Sequence, residues 1–330
     1  VLHRAFELAS RAPSAHNTQP WQVEVGTDGR LQVRADPSRL LTHTDPSSRD
    51  VNVALGAFTE ALVIALGVEG LLAEHVEPSA DAFSALRVRP DATRTAPSAE
   101  LASLLRRRQT SRLAYSPRPL PTADLEALAQ TAKQHGLELH LSNKGSSEHR
   151  RVGEWLFAAS RESWLDLRAT RELRRWVHFD PEGLRPTEDG LTTHCLGLSP
   201  LEGVALLALL RDGPWRALST LFVAPVLAEQ LARQDVVSFE RAPSFGLLVA
   251  PPGMSDVASG GAVLRCWLEA TKRGLVLHPQ SVLLDRRGWE VGRLLSIDPR
   301  RVKLAFRLGH SVPAPWSGRL PVERFAIYRG

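Results

Sequence analysis

The segment RDVNVALGAFTEALVIALGVEG, residues 49–70, constrains this chain more than any other stretch. It reads as a long, largely buried helix that ends at Gly67 or Gly70. A helix that is apolar around most of its circumference has to be wrapped by other elements. The chain has the material for that, with 330 residues of which 43% are hydrophobic. Such a length predicts two domains or a duplicated unit. No apolar run approaches the roughly 18 to 20 residues that a membrane helix needs, and the longest, such as VALLALL at 204–210, have the size of core helices, so no membrane association is expected. No signal-peptide pattern opens the sequence. Cys195 and Cys266 stand far apart, outside any metal-ligand spacing. That pattern points to a reducing, cytoplasmic compartment with neither a disulfide framework nor a metal site.

The formal net charge is +5, mostly from arginine. The arginines are spread along the chain rather than gathered in one stripe, so a nucleic-acid partner is not expected. An anionic small molecule, particularly a phosphate, suits a few of them. No GxGxxG follows a predicted strand, and neither GxxxxGK[ST] nor HExxH occurs.

Around the long helix the sequence predicts a mixed arrangement. VLHRAFELASRA is a helix that stops at Pro13. WQVEV and RLQVRAD alternate with period two on either side of GTDG, which signals a hairpin. Residues 83–90 form a short strand, and 97–108 a helix with Ser98 at its cap. Residues 122–136 form a helix capped by Thr122 and stopped by Gly136, followed by the strand LELHLS. Residues 146–178 are helical, 180–200 loop-like, and 200–233 helical with a break around DGPW. A strand SFGLLVAP, a helix VASGGAVLRCWLEATKRG and a strand VKLAFRLG precede an extended, proline-containing tail. This order implies an α+β fold. The helix–loop–strand of 1–25 has a shorter echo in 125–141 that lacks the polar loop, as a duplication would leave.

Four segments carry candidate chemistry. RAPSAHNTQPW, 11–21, is either a well-made turn or a loop offering backbone N–H groups, hydroxyls and amides to a polar ligand edge. RRRQTSR, 106–112, is either a basic helix C-terminus or a phosphate grip of Arg108, Thr110 and Arg112. SGRLP places Arg319 in the tail, and GLVLHPQSVL places His278 after an apolar step. His278 and His194 are the candidates where a proton donor is needed, and Trp21 is expected in the core.

Together these segments resemble the FMN-dependent nitroreductase superfamily. APSAHNTQPW resembles its APSxxNxQPW signature, RQTSR its RxSxR, GLVLHPQS its GLxxxPxxG/S, and LGHSVPAPWSGRLP its closing segment. The order, with the APSxxN loop first, is similar to the Acg-like branch. RLLTHTDPSSRDVNVALGA, 39–57, and RELRRW…TEDGL, 171–191, resemble that branch as well. The chain departs from the pattern at Thr110, which replaces a serine, at Ser317, which stands where many members have lysine, and at Gln280 and Ser281.

The resemblance implies a nitroreductase-like fold of two degenerate copies forming an intrachain pseudo-dimer, with halves at 1–96 and 97–330. It implies one FMN per chain. Pro13, Ser14, Ala15 and Asn17 would come from the first half, and Arg108, Thr110, Arg112, Pro279, Gln280, Ser281 and Arg319 from the second. It also implies NAD(P)H as reductant, a small electron-poor acceptor, no separate catalytic acid or base, and a monomer or homodimer. Residues 180–235, with Trp215 and Phe222, would act as a lid. A closed lid would make the chain an FMN-sequestering protein with little turnover.

Overall fold

The computed structural model describes residues 1–91, 97–179, 187–210 and 224–329. The long apolar segment is helix α2, Arg49–Val68. Its length and mean hydropathy of 1.9 would let it cross a membrane, which corrects the expectation that no segment is long and apolar enough. Here 67% of that stretch is buried inside the protein. Its first wrapping is α1, Leu2–Ala9, which turns its apolar face onto α2.

After the turn at 10–20 come strands β1, Trp21–Val25, and β2, Arg30–Ala35, the predicted hairpin. β3, Leu71–Val76, and β4, Ser84–Pro90, extend that sheet. Of these, β3 was not expected from the sequence. Its LLAEHV lacks a clean alternation and is only half-buried. The chain then forms α3, Pro97–Arg107, and α4, Thr122–Gln134. α4 begins at Thr122 itself, with Pro121 at the cap position and no side-chain cap bond, so the expected Thr122 cap is not made. The strand β5, Glu138–Asn143, follows.

The helical stretch at 146–178 is two helices, α5, Ser147–Leu165, and α6, Leu167–Trp176. Asp166 divides them because its carboxylate accepts from the backbone N–H groups of Arg168 and Ala169, which caps α6. Short strands β6, Val177–His178, and β7, Leu191–Thr192, pair in parallel. Residues 187–200, expected as loop, therefore hold β7 and the helical turn α7, Thr193–Leu196. Helices α8, Pro200–Leu210, and α9, Ala224–Arg241, lie on either side of the break region. The expected lid residues Trp215 and Phe222 fall outside the described residues.

Strand β8, Ser244–Val249, helix α10, Asp256–Lys272, strand β9, Val276–Pro279, and helix α11, Ser281–Leu295, come next. Then follow β10, Val302–Gly309, and β11, Ala326–Tyr328. α11 was not expected from the sequence. The described strands form a five-stranded sheet in the order β11-β1-β2-β4-β3 and a four-stranded antiparallel sheet in the order β5-β8-β10-β9. The fold is α+β, as the element order implied.

The tail strand β11 pairs in parallel with β1, so the C-terminus closes the N-terminal sheet. The core beneath that sheet also takes residues from α3, α10 and the tail, such as Leu105, Leu264 and Phe325. Trp21 is fully buried there and stacks on Phe58 at 4.6 Å between ring centroids, as expected of a core residue. α2 and α10 pack against each other between the two sheets. The two echoes from the sequence sit in different sheets, α1–β1 in the first and α4–β5 in the second.

Candidate functional site

The loop Pro13–Pro20 has an unusual backbone. His16, Asn17 and Gln19 all lie in the left-handed region, at φ of 48°, 54° and 50°. Non-glycine residues adopt such angles only when surrounding contacts impose them, and such strain collects at functional sites. The contacts here are explicit. Asn17 Nδ2 donates to the carbonyls of Gly190 and Gly318, each at 3.1 Å. Asn17 Oδ1 accepts from Arg319 Nη1 at 3.0 Å. Gln19 Nε2 donates to the Glu188 carbonyl at 2.9 Å, and Gln19 Oε1 accepts from Leu320 N at 2.9 Å. Arg39 Nη1 reaches both the Thr18 carbonyl, at 2.8 Å, and Asp189, at 2.9 Å. The loop is thus clamped between 187–191 and the tail at 317–320.

The segment after α3 is placed by β9. Thr110 forms a bridge with Leu277, and Ser111 N donates to the Leu277 carbonyl at 3.3 Å. This docks Thr110 and Arg112 beside His278–Ser281. The result is a cavity of about 920 Å³ whose walls include Pro13, Ser14, Ala15, Thr110, Arg112, Pro279, Gln280 and Ser281. Such a volume lies near the top of the range of about 300–1,000 Å³ for ligand pockets. Eight of the residues named from the sequence therefore meet at one place.

The other three, Asn17, Arg108 and Arg319, do not line the cavity but lie behind its loop wall. Arg108 Nη2 donates to the Arg11 carbonyl at 3.0 Å, and the guanidinium lies over the Trp267 ring at 4.7 Å. Arg108 Nε and Nη1 and Arg319 Nε are buried with no hydrogen-bond partner. Among the described residues no carboxylate forms an ion pair with Arg108, Arg112 or Arg319. Burial and the neighbouring Arg11 push Arg108 down to about 10. Burial, Arg108 and Arg11 push Arg319 down to about 9. Cations that repel one another and keep buried, unused donors raise the cost of their own burial and make a neighbouring negative charge favourable.

His278 faces the cavity, whereas His194 is exposed and lies off it, so His194 drops out as a proton donor. Burial, then Arg307 and Arg112, hold His278 well below the ordinary histidine value. His16, in the loop, lines the cavity and is pushed down to about 4 by burial and Arg112. Across the cavity stand Asp50 and Asp285, which share Arg49 Nη2 at 2.7 and 2.9 Å. Burial pushes Asp285 up to about 8 against the pull of Arg49. Sequence reasoning missed His16, Asp50 and Asp285. His16 stood in full view inside the quoted loop, whereas the carboxylates carry no local signal because Arg49 joins them across the fold.

Of the expected lid, 180–235, the described parts 187–210 and 224–235 supply Leu191, Leu198, Leu206, Leu231 and Asp235 to the cavity wall. α6 adds Ala169 and Leu173. Glu172 of α6 accepts from Thr42 Oγ1, His43 N and Thr44 N, which ties the 39–49 segment to α6.

No family model matches the chain. Over 143 residues the chain is 35% identical to a Mycobacterium tuberculosis protein named "Putative NAD(P)H nitroreductase Rv3131", covering 42% of this chain and 41% of that one. Over 73 residues it is 36% identical to "Putative NAD(P)H nitroreductase acg" of the same species, covering 22% of each. The chain thus spans about two fifths or less of the curated relatives it matches, and over those regions it is their relative. Among solved structures, the FMN and NADPH-dependent nitroreductase NfnB from Sphigopyxis sp. superposes with a TM-score of 0.41 at 19% identity, covering 70% of this chain and 99% of that one. The FMN-dependent NfnB from Mycobacterium smegmatis in complex with NADPH gives 0.38 at 18% identity, covering 70% and 95%.

Proposed function

We propose that this chain is an FMN-binding oxidoreductase of the nitroreductase kind, built as an Acg-like pseudo-dimer of halves 1–96 and 97–330. It would move two electrons from NAD(P)H to a small electron-poor acceptor. The observation that carries this reading is a group of three arginines with no carboxylate partner among the described residues, Arg112 on the wall of the cavity and Arg108 and Arg319 behind it, beside Pro13–Ala15, Thr110 and Pro279–Ser281. The residues fit the cofactor. Arg112 on the cavity wall suits a phosphate monoester, and the positive charges of Arg108 and Arg319 behind the loop favour an anion there. The Thr110 hydroxyl and the wall Pro279–Ser281 suit a planar ring with a polar edge.

Bound FMN would supply the hydride chemistry, and the protein its orientation and surroundings. Asn17 braces the loop from behind rather than touching the ligand. Thr110 and Arg112 offer donors from one wall, and apolar residues such as Leu191, Leu198, Leu206 and Leu231 would keep water from the other.

The visible absorption spectrum tests the reading. A yellow protein, or a colourless one that turns yellow and retains added FMN through gel filtration, is expected. A colourless protein that takes up no FMN overturns it. The wall contributed by 187–210 and 224–235 favours a second reading, an FMN-sequestering protein. Anaerobic mixing with NADH and NADPH separates the two. Rapid bleaching is expected of the enzyme, and bleaching by dithionite alone of the sequestering protein.

A further inference from the structure

Arg307 is an anomaly in its strand. β10 is buried along its whole length, and Arg307 is 1% exposed, yet no carboxylate forms an ion pair with it among the described residues. Its donors are spent otherwise. Nη1 donates to the Ser238 carbonyl of α9 at 2.7 Å, and the guanidinium lies over the Tyr115 ring at 4.4 Å. Nη2 faces the carbonyls of Ser111 and Leu113 at 3.5 and 3.4 Å. Nε donates to His278 Nδ1 at 3.0 Å, and the two residues are direct cross-strand partners. Gln280 Nε2 stands 3.1 Å from the same nitrogen.

Arginine keeps its proton, so Nδ1 of His278 can only accept. In the neutral ring that fixes the remaining proton on Nε2. Nε2 has no protein partner among the described residues, and the ring borders the cavity. We propose that His278 is a fixed hydrogen-bond donor of the cavity through Nε2–H, with Arg307 and Gln280 as the positioning residues that set its tautomer. Its target is a conjugated oxygen that gains electron density when the bound ligand is reduced, on the flavin edge or on the electron acceptor. This assignment of a target rests on the oxidoreductase reading; the tautomer does not.

The charged groups around the ring agree with a donor rather than a shuttle. Arg307 approaches from β10 and Arg112 from the segment after α3, and both oppose a positive imidazole. Asp235 on α9 lines the cavity and accepts from the Ser160 hydroxyl, and desolvation pushes its carboxyl up. A proton shuttle near neutral pH would need the opposite balance. A neutral imidazole that donates without releasing its proton stabilises charge on an oxygen as it develops.

Nitrogen-15 NMR of protein labelled at histidine tests this, with the His278 signals identified by their loss in His278→Gln. The expected result is an unprotonated Nδ1 and a protonated Nε2 that do not change over roughly pH 5.5–8.5, where an ordinary histidine titrates. A proton on Nδ1, or titration in that range, overturns the assignment of donor and positioning residues. In the double variant Arg307→Met and Gln280→Leu, which leaves Nδ1 without either donor, the ring should become a mixture of tautomers; an unchanged spectrum there overturns the positioning role of Arg307 and Gln280. FMN, then p-benzoquinone, is added to the wild-type protein. A shift of the Nε2–H signal with FMN places the target on the flavin, and a shift only with quinone places it on the acceptor. No shift with either, in protein that has turned yellow, overturns the ligand contact. Protein that stays colourless fails the oxidoreductase reading instead and leaves the tautomer result standing.

Discussion

Gly56 of α2 and Gly260 of α10 meet backbone to backbone. A Cβ on Gly260 would stand 2.8 Å from the Gly56 Cα and 2.2 Å from the Val53 carbonyl oxygen. A Cβ on Gly56 would stand 1.9 Å from the Val257 carbonyl oxygen. The two helices that join the sheets cross at this point, and no rotamer relieves a backbone clash. Gly260→Ala is expected to destabilise the protein by about 1–3 kcal/mol or more, as over-packing does. Gly288→Ala in α11 is the control, because its Cβ would meet only the Pro299 Cβ at 3.9 Å. There the better helix propensity of alanine should leave stability unchanged or raise it. Urea unfolding of the two variants checks both statements; equal losses would show that the α2–α10 crossing tolerates separation.

Arg108 is buried with two unpartnered nitrogens and no carboxylate partner among the described residues. Arg108→Met keeps volume over Trp267 and removes a charge with two unpartnered nitrogens. Without added ligand the variant should unfold at the same temperature as wild type or higher. With FMN, wild type should gain stability as RT ln(1 + [L]/Kd), about 2.7 kcal/mol at a hundredfold excess over Kd. Most of that gain should vanish in the variant. A variant that keeps the full gain in thermal unfolding would place the phosphate elsewhere.

Asn17 joins three separate segments, so its loss should be felt in the fold. Asn17→Ala leaves the buried Gly190 carbonyl without this donor and takes an acceptor from Arg319, while the Gly318 carbonyl keeps its bond from Arg319 Nη1. It also puts alanine at φ 54°. A loss of about 2–3 kcal/mol is expected from the unsatisfied groups. Asn17→Asp keeps the acceptor for Arg319 and should lose less. Denaturant midpoints of the pair decide it; an alanine variant as stable as wild type would mean that the loop is not clamped through Asn17.

The loop and the long helix were legible because their signals are local. Helical spacing in α2 and period two in β1 and β2 follow from a few consecutive residues, and APSAHNTQPW is a continuous motif. What was not legible depends on pairing across the chain. LLAEHV became β3 only by finding β4, and VLHP became β9 only by finding β10. Arg307 looked like one polar position in an apolar strand until His278 stood opposite it. Asp50 and Asp285 are far apart in sequence and are joined by one guanidinium. The Thr122 cap failed for a local reason that competing signals hid, since Pro121 already turns the chain into the helix.

Two titrations of opposite sign meet at the cavity. Asp285 stands with Asp45 and Asp50 around Arg49, and burial with the two neighbouring carboxylates pushes it up to about 8 from an ordinary 3.8. The folded protein therefore holds a proton that the unfolded chain has released. The stability this group contributes is full below about pH 4 and is lost as pH rises through about 8. Asp285→Asn should thus gain on wild type steadily between those limits. His16 works the other way, since burial and Arg112 push it down to about 4 from 6.5. Its contribution is present above about pH 6.5 and is lost as pH falls towards 4. His16→Asn, which tolerates the left-handed backbone, should gain on wild type as pH falls through that window. Wild-type stability alone blends the two slopes, so the measurement is the difference between each variant and wild type in urea unfolding at successive pH values. A pH-independent difference for Asp285→Asn would mean that the carboxyl is ionised in the folded protein throughout. The same result for His16→Asn would mean that the loop histidine reaches solvent.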